Sequence, residues 1–459
     1  MSVTWFVPRS DLSPDQLRAV ELPMRDHALV LGAPGSGKTL VLLHRAKRLI
    51  EEEGISSDRL RIFVFTNSLK GYIRSALGVL DIPANCVMTF DYWCREFYTT
   101  FVSSNVPFAG RKPDFDKIRQ GVLDKLRGGV SLATLPSHGD LHDLDLFGDD
   151  EQPPSTSPQV EFPEFFAESI GCPIYDVALV DEGQDLTPES FEILKRLARH
   201  VTVCMDSRQQ LYEERSDEKD LLATLGLRRC NLTILGAYRC CPYITELAAS
   251  LLSDAAERQI FLNQTRTAQR ERLTPLLYIA ADANEEKNRL AQIIKDRLTH
   301  REGDRIAVLF PDNAKLFSMA RILTEAGLEV EVPPQRRKSS FPEHDFQSER
   351  PKLMTYYGAK GLTFETVIMP RLVPNSFQRI SPERLAKLLF VGITRATQWV
   401  YMSTVEGPML PVVLQMIEKA NDGIISIQRS DNSQPLFNSG NERQKPISLN
   451  AVDPLTDLL

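Results

Sequence analysis

The sequence predicts an α/β fold built on parallel sheets, and three observations predict it. Residues 28–31 form a short apolar run that leads at once into a Gly-rich turn. Leu40, Leu42, Leu43, Ala46 and Leu49 then recur at helical spacing, so the segment reads strand, loop, helix. Further short, β-branched-rich apolar runs stand at 62–65, 177–180, 201–204, 306–310 and 366–369, separated by helical patterns. Strands covered on both faces of a parallel sheet read as such continuous runs, whereas half-exposed strands alternate.

A chain of 459 residues is too long for one ordinary core and points to two or three domains. Hydrophobic residues at 42% and charged residues at 25% give a globular balance, which excludes collagen-like, coiled-coil and disulfide-scaffold classes. The net charge of −7 is unevenly spread. Residues 128–194 hold 15 Asp or Glu and no Lys or Arg, which leaves +8 on the other 392 residues. A polyanionic partner is therefore compatible with most of the chain. The seven cysteines show no CxxC spacing, which favours free thiols and a cytoplasmic setting. Pro8, Arg9, Asp11, Asp15 and Arg18 interrupt the start where a signal peptide needs an apolar run, and no run of 18 apolar residues predicts a membrane span.

Between residues 128 and 163 the pattern gives way to Gly, Ser, Pro and acid, a composition that buries too little surface to offset its ordering. A second polar break, 333–352, carries Arg336, Arg337 and Lys338. From residue 422 onward Ser, Asn, Gln and Pro predominate, so 422–459 is expected to be a flexible tail.

Residues 32–39 (Gly32, Ala33, Pro34, Gly35, Ser36, Gly37, Lys38, Thr39) match GxxxxGK[ST] in the strand–loop–helix setting that the motif requires. Glycines let backbone N–H groups curl around phosphate oxygens, and the following helix N-terminus adds its dipole. Lys38 is placed for the β- and γ-phosphates of ATP and Thr39 for Mg²⁺. Such a loop needs a second site that holds the metal and activates water, an acidic pair at the end of an apolar strand. Asp181 and Glu182 supply it, Asp181 for Mg²⁺ and Glu182 as base.

Further residues complete a recognisable set. Residues 12–20 surround Gln16; 64–70 read ValPheThrAsnSerLeuLys; 89–91 ThrPheAsp; 181–185 AspGluGlyGlnAsp; 206–212 AspSerArgGlnGlnLeuTyr; 237–239 AlaTyrArg. LeuMetThrTyrTyrGlyAlaLysGlyLeuThrPhe follows at 353–364 and LeuPheValGlyIleThrArgAla at 389–396. In this order they resemble the motifs of a superfamily 1 DNA helicase of the UvrD/Rep/PcrA type over nearly all of 12–405. The resemblance implies two RecA-like P-loop domains with ATP between them. It implies Gln16 and Tyr238 at the adenine, Gln184 near the nucleotide, and Gln209, Arg239 and Arg395 at the γ-phosphate with Glu182. It assigns nucleic-acid contacts to Thr66, Asn67, Lys70, Thr89, Phe90, Thr355 and Tyr357. The expected domains are 1–235, with a small insertion at about 92–172 whose acidic loop spans 136–163, and 236–421, with its own insertion reduced to about 332–352.

The chain departs from that pattern in places. Thr363 stands where the family has Glu, Tyr357 where it has a His facing the strand, and Arg208 where its third motif has an acid. The insertions are far smaller than the accessory domains of such enzymes. The reading that results is a compact ATP-dependent translocase on single-stranded DNA, 3′ to 5′ by resemblance, with RNA left open as a substrate. Beside it stands an ATP-switched subunit that licenses a partner nuclease in repair or antiphage defence.

Overall fold

The computed structural model describes residues 6–110, 112–128, 173–206, 218–234, 241–264, 273–301, 303–334 and 341–430. The strands are β1 Ala28–Gly32, β2 Leu60–Val64, β3 Val87–Thr89, β4 Phe108–Ala109, β5 Lys112–Pro113, β6 Tyr175–Val180, β7 Ala198–Met205, β8 Leu232–Ile234, β9 Leu276–Ala280, β10 Ile306–Phe310, β11 Lys352–Thr355, β12 Phe364–Met369, β13 Ala396–Val405 and β14 Ser426–Arg429. The α-helices are α1 Pro14–Val20, α2 Lys38–Glu51, α3 Asn67–Leu80, α4 Phe90–Phe101, α5 Phe115–Gly128, α6 Pro188–Leu197, α7 Glu218–Leu225, α8 Pro242–Ser250, α9 Ala255–Gln264, α10 Ala283–His300, α11 Asn313–Glu325, α12 Pro382–Ile393 and α13 Pro411–Lys419.

Two six-stranded sheets result, ordered β3-β2-β6-β7-β1-β8 and β11-β10-β12-β13-β9-β14. Every pairing within them is parallel. Helices cover both faces, which makes two RecA-like α/β lobes of the class the apolar runs predict. All six of those runs fall on strands. β9, β13 and the short β3, β8, β11 and β14 were not anticipated, because polar residues interrupt β13 and the shortest strands are too brief to show a pattern. β14 also corrects the tail boundary: Ser426–Arg429 pairs with β9 from Ser426 opposite Leu276 to Arg429 opposite Ile279, so the second sheet extends past residue 421.

One buried cluster runs through both lobes, from Val30, Leu43 and Leu69 to Leu362, Phe390 and Val400. A second fills the other face of the first sheet, and there the described part of the first insertion is core: Trp93 and Phe97 of α4 pack with Ile118 and Val122 of α5. A third lies behind the second sheet around Leu290, Phe310 and Leu323. Within the second lobe Arg297 is fully buried and donates from Nε to Asp304 Oδ2 at 2.7 Å, while the Thr366 hydroxyl donates to the same oxygen at 2.8 Å.

The described part of the second insertion is folded back on its own lobe. Val332 and Glu343 form a parallel bridge, and Glu331 and Lys352, both buried, pair at 3.1 Å beneath it. Its Phe346 ring stands edge-on to Tyr72 of α3, centroids 5.4 Å apart, and the Gln347 amide donates to the Ser75 carbonyl at 3.5 Å. The segment thereby touches the first lobe.

Candidate nucleotide site and nucleic-acid interface

The glycine-rich loop leaves the C-terminal end of β1 and enters α2, the position at which open parallel sheets bind ligands. Gly37 caps α2 in the left-handed region with φ 85°, and a Cβ there would stand 2.5 Å from Gln16 Nε2. Only glycine meets both conditions. At Gly32 a Cβ would lie 2.4 Å from the Ser36 hydroxyl, so close loop packing also requires glycine. Ala33, Pro34 and Ser36 are buried and Gly35 is half-exposed. Lys38 Nζ donates to the carbonyls of Gly32 and Ala33 at 2.9 and 3.2 Å, curled over its own loop.

Gln16 lies against this loop. Its Oε1 accepts from the Ser13 backbone N–H at 2.9 Å in a capping box, and its Nε2 donates to the Ser36 carbonyl at 2.8 Å. The amide holds loop and helix α1 together, so contact with an adenine requires it to exchange partners.

The acidic pair follows β6, two strands from β1. Thr39 Oγ1 donates to Asp181 Oδ2 at 2.5 Å, and Asp181 Oδ1 accepts from the Glu182 backbone N–H at 3.0 Å. Burial, and then the Glu182 charge beside it, push the Asp181 carboxyl from 3.8 up to about 6. Two carboxylates crowded in a low-dielectric site leave it short of positive charge, which is the condition a divalent cation relieves. The donor set, a hydroxyl and a carboxylate, suits Mg²⁺. Glu182 itself occupies the left-handed region, φ 53° and ψ 42°, a conformation costly for a side chain with a Cβ and retained here at the head of the turn 182–185. Gln184 steadies it, donating from Nε2 to Glu182 Oε2 at 2.6 Å while its Oε1 accepts from the Asp206 N–H at 3.1 Å.

A cavity joins Gly35, Gly37, Lys38, Thr39 and Glu182 of the first lobe to Gly361, Thr363 and Arg395 of the second. Arg395 is buried, donating to the carbonyls of Val391 and Leu362 at 3.1 and 3.3 Å. Thr363, noted in the sequence as a departure, faces the same cavity. Gln209, Tyr238 and Arg239 lie outside the described residues.

The strand-contact candidates divide. Thr66 caps α3, accepting from Leu69 N–H at 3.1 Å, with Asn67 as the first helical residue and Lys70 one turn on. Lys70 Nζ lies 6.0 Å from the centre of the Tyr92 ring. Gly358 of the second lobe approaches the same helix: a Cβ on it would be 3.7 Å from Ser68 Oγ, and its N–H donates to Thr355 Oγ1 at 3.0 Å. The N-terminal turn of α3, which follows Thr66, and the turn that follows Thr355 thus approach each other at the seam between the lobes. Two others are buried. Phe90 is 1% exposed with its ring edge-on to Phe63, and Thr89 is buried as the cap of α4, accepting from Tyr92 N–H. Both side chains serve the packing of the first lobe, Phe90 in its core and Thr89 as a helix cap. Tyr357 is half-buried, and its hydroxyl accepts from Arg384 Nη2 at 2.8 Å, so its ring is held by the fold.

Missed at the level of sequence were Tyr72, which lines the nucleotide cavity, and the pair Lys360 and Asp185, 2.7 Å apart across the lobes. Both members of the pair stand inside recognised motifs, but nothing in either motif says that they meet.

Fold and site together define a two-lobed, RecA-like P-loop protein. Residues 12–120 match the UvrD/REP helicase N-terminal domain family, so that part of the chain is a domain of the UvrD/REP type. No curated protein matches the chain. Among solved structures, the C-terminal domain of a possible DNA helicase from Lactobacillus plantarum WCFS1 aligns at 17% identity over 41% of this chain and 98% of that one, with a TM-score of 0.31, too low a similarity to carry an argument. Among the described residues no helix is long and apolar enough to cross a membrane, and the five described cysteines are free thiols.

Proposed function

We propose that this protein is a nucleic-acid-stimulated ATPase that moves along single-stranded DNA in the 3′ to 5′ direction. The observation that carries the reading is the shared cavity: Arg395 of one lobe faces Lys38, Thr39 and Glu182 of the other. Phosphoryl transfer to water depends on positioning and on positive charge at the γ-phosphate, so an arginine from the second lobe makes hydrolysis follow closure of the cleft.

In this reading Lys38 leaves its loop carbonyls for the phosphates, Glu182 orients and deprotonates water, and Gln184 fixes the Glu182 carboxylate. Thr39 and Asp181 would hold Mg²⁺, which supplies charge neutralisation at the phosphates. Gln209, Arg239 and Tyr238 are assigned to the γ-phosphate and adenine by motif alone. DNA lies across the seam, where Thr66, Asn67 and Lys70 belong to one lobe and Thr355 to the other. Closing and opening the cleft then changes the spacing of two grips on one strand, which is translocation. The proposed units are 1–235 and 236 to about 430.

The small second insertion favours a second reading, in which ATP switches the protein to recruit or license a nuclease in repair or defence. It spans only about 332–352, with Phe346 and Gln347 against α3, where a duplex-gripping domain would be needed for unwinding.

The test is ATPase stimulation by single-stranded DNA, single-stranded RNA and duplex in parallel, joined to streptavidin displacement from end-biotinylated strands. Stimulation by single-stranded DNA, displacement from one end only, and loss of turnover in Lys38→Ala and Glu182→Gln are expected. Normal turnover in both variants defeats the assignment. ATP-dependent complex formation without displacement selects the switch.

A further inference from the structure

We propose that Lys360 is a positioning residue for hydrolysis, setting the register between the loop 356–363 of the second lobe and the turn that carries Glu182. The inference rests on the reading of the cavity as an ATPase site and names how its two halves are aligned.

Lys360 Nζ stands 2.7 Å from Asp185 Oδ1, with the lysine side chain 2% exposed and the aspartate 0%. Asp185 closes the turn that Glu182 opens, its N–H donating to the Glu182 carbonyl at 2.9 Å. The residue after the lysine, Gly361, is in the left-handed region at φ 78°; a Cβ on it would lie 2.9 Å from Leu69 Cδ2 and 3.4 Å from Glu182 Oε1. The backbone of one lobe is therefore laid directly against the Glu182 carboxylate of the other, and the ion pair sits beside that contact. Arg395 is tied to the same loop: the Phe364 N–H at its end donates to the Arg395 carbonyl at 2.9 Å, and Arg395 Nη1 donates to the Leu362 carbonyl at 3.3 Å. Fixing the loop on Asp185 thus fixes the guanidinium and the carboxylate relative to each other.

Energetics make this a register device and a poor glue. Removing two charges from water costs about what their attraction returns, so a buried pair contributes little net affinity, while a single buried partner left alone is strongly unfavourable. Misaligned closure would strand both charges in the interior. Correct closure satisfies them, and opening returns both to water with little net change, as a cycle requires. A displacement of the reacting groups by about 1 Å costs on the order of 100-fold in rate.

Steady-state ATPase with saturating single-stranded DNA tests it, on Lys360→Met, Lys360→Arg, Asp185→Asn and the Lys360→Met/Asp185→Leu double variant, with fluorescent ATP-analogue binding measured on each. Expected is a fall in kcat of about 100-fold for Lys360→Met, with KM for ATP and analogue affinity within threefold of wild type. Substantial recovery is expected in Lys360→Arg. The double variant restores stability to near wild type yet keeps the low kcat, which a merely structural lysine would not do. Unchanged kcat in Lys360→Met overturns the inference, as does recovery of kcat in the double variant. If the wild type itself fails to hydrolyse ATP, the reading of the site falls and this inference with it; wild-type turnover shared by Lys360→Met removes this inference alone.

Discussion

Replacing Asp181 with Asn should stabilise the nucleotide-free protein at neutral pH while removing its metal response. Burial and the neighbouring Glu182 charge push this carboxyl from 3.8 up to about 6. It holds its proton more tightly in the folded chain than in the unfolded one. Between about pH 4 and pH 6 the folded state therefore binds more protons, and stability falls as pH rises through that window. Above it the ionised group carries its full penalty. A gap of about two pKa units, at about 1.4 kcal/mol each, sets roughly 3 kcal/mol as the ceiling on what Asp181→Asn recovers at pH 7.5. The substitution keeps the shape: an amide oxygen can accept from the Glu182 N–H and an amide N–H can donate to Thr39. Thermal unfolding in EDTA, from pH 4.5 to pH 8, is the assay. The variant should melt several degrees above wild type at pH 7.5, the difference should close toward pH 4.5, and added Mg²⁺ should raise only the wild-type midpoint. A variant no more stable at pH 7.5, or a difference indifferent to pH, would refute the argument.

Other perturbations follow from the same geometry. Gly37→Ala places a Cβ at φ 85° and 2.5 Å from Gln16 Nε2, so it should lose about 1–2 kcal/mol from backbone strain alone and weaken nucleotide-analogue binding, read by unfolding and by fluorescence titration. Asp304→Ala leaves Arg297 buried without its carboxylate and should cost about 3–5 kcal/mol in urea unfolding. Phe346→Ala removes an edge-on contact with Tyr72, worth about 0.5–1.5 kcal/mol beyond its area. It should loosen the grip on α3, lowering affinity for single-stranded DNA in an anisotropy titration and, because Tyr72 lines the nucleotide cavity, weakening nucleotide-analogue binding as well.

Much of the site was legible because its chemistry is local. The phosphate loop needs consecutive N–H groups and left-handed glycines, and Gly35 at φ 73° and Gly37 at φ 85° occupy those conformations. The acidic pair follows an apolar strand in sequence and in space. What escaped reading depended on burial. Phe90 and Thr89 belong to a motif that resembles a strand contact, yet Phe90 packs in the core with Trp93 and Phe97 of the same helix, and Thr89 is buried as its cap. Tyr357 keeps the aromatic ring noticed in the sequence, but Arg384, 27 residues away, already holds its hydroxyl. The tail boundary moved because β14 is only four residues long and is stabilised by pairing with β9, about 150 residues earlier in the chain.

The sequence by itself determined the parallel α/β class, the phosphate loop, the acidic pair and the order of motifs, since each rests on residue type and short spacing along one strand or helix. Tertiary structure alone decided which groups from the two lobes meet. Lys360 and Asp185 lie 175 positions apart, and their pairing depends on how two sheets close on each other; the approach of Arg395 to Glu182, implied only by the family resemblance, likewise takes physical form in the shared cavity. No local pattern encodes that distance, because it is set by the packing of a core that runs through both lobes.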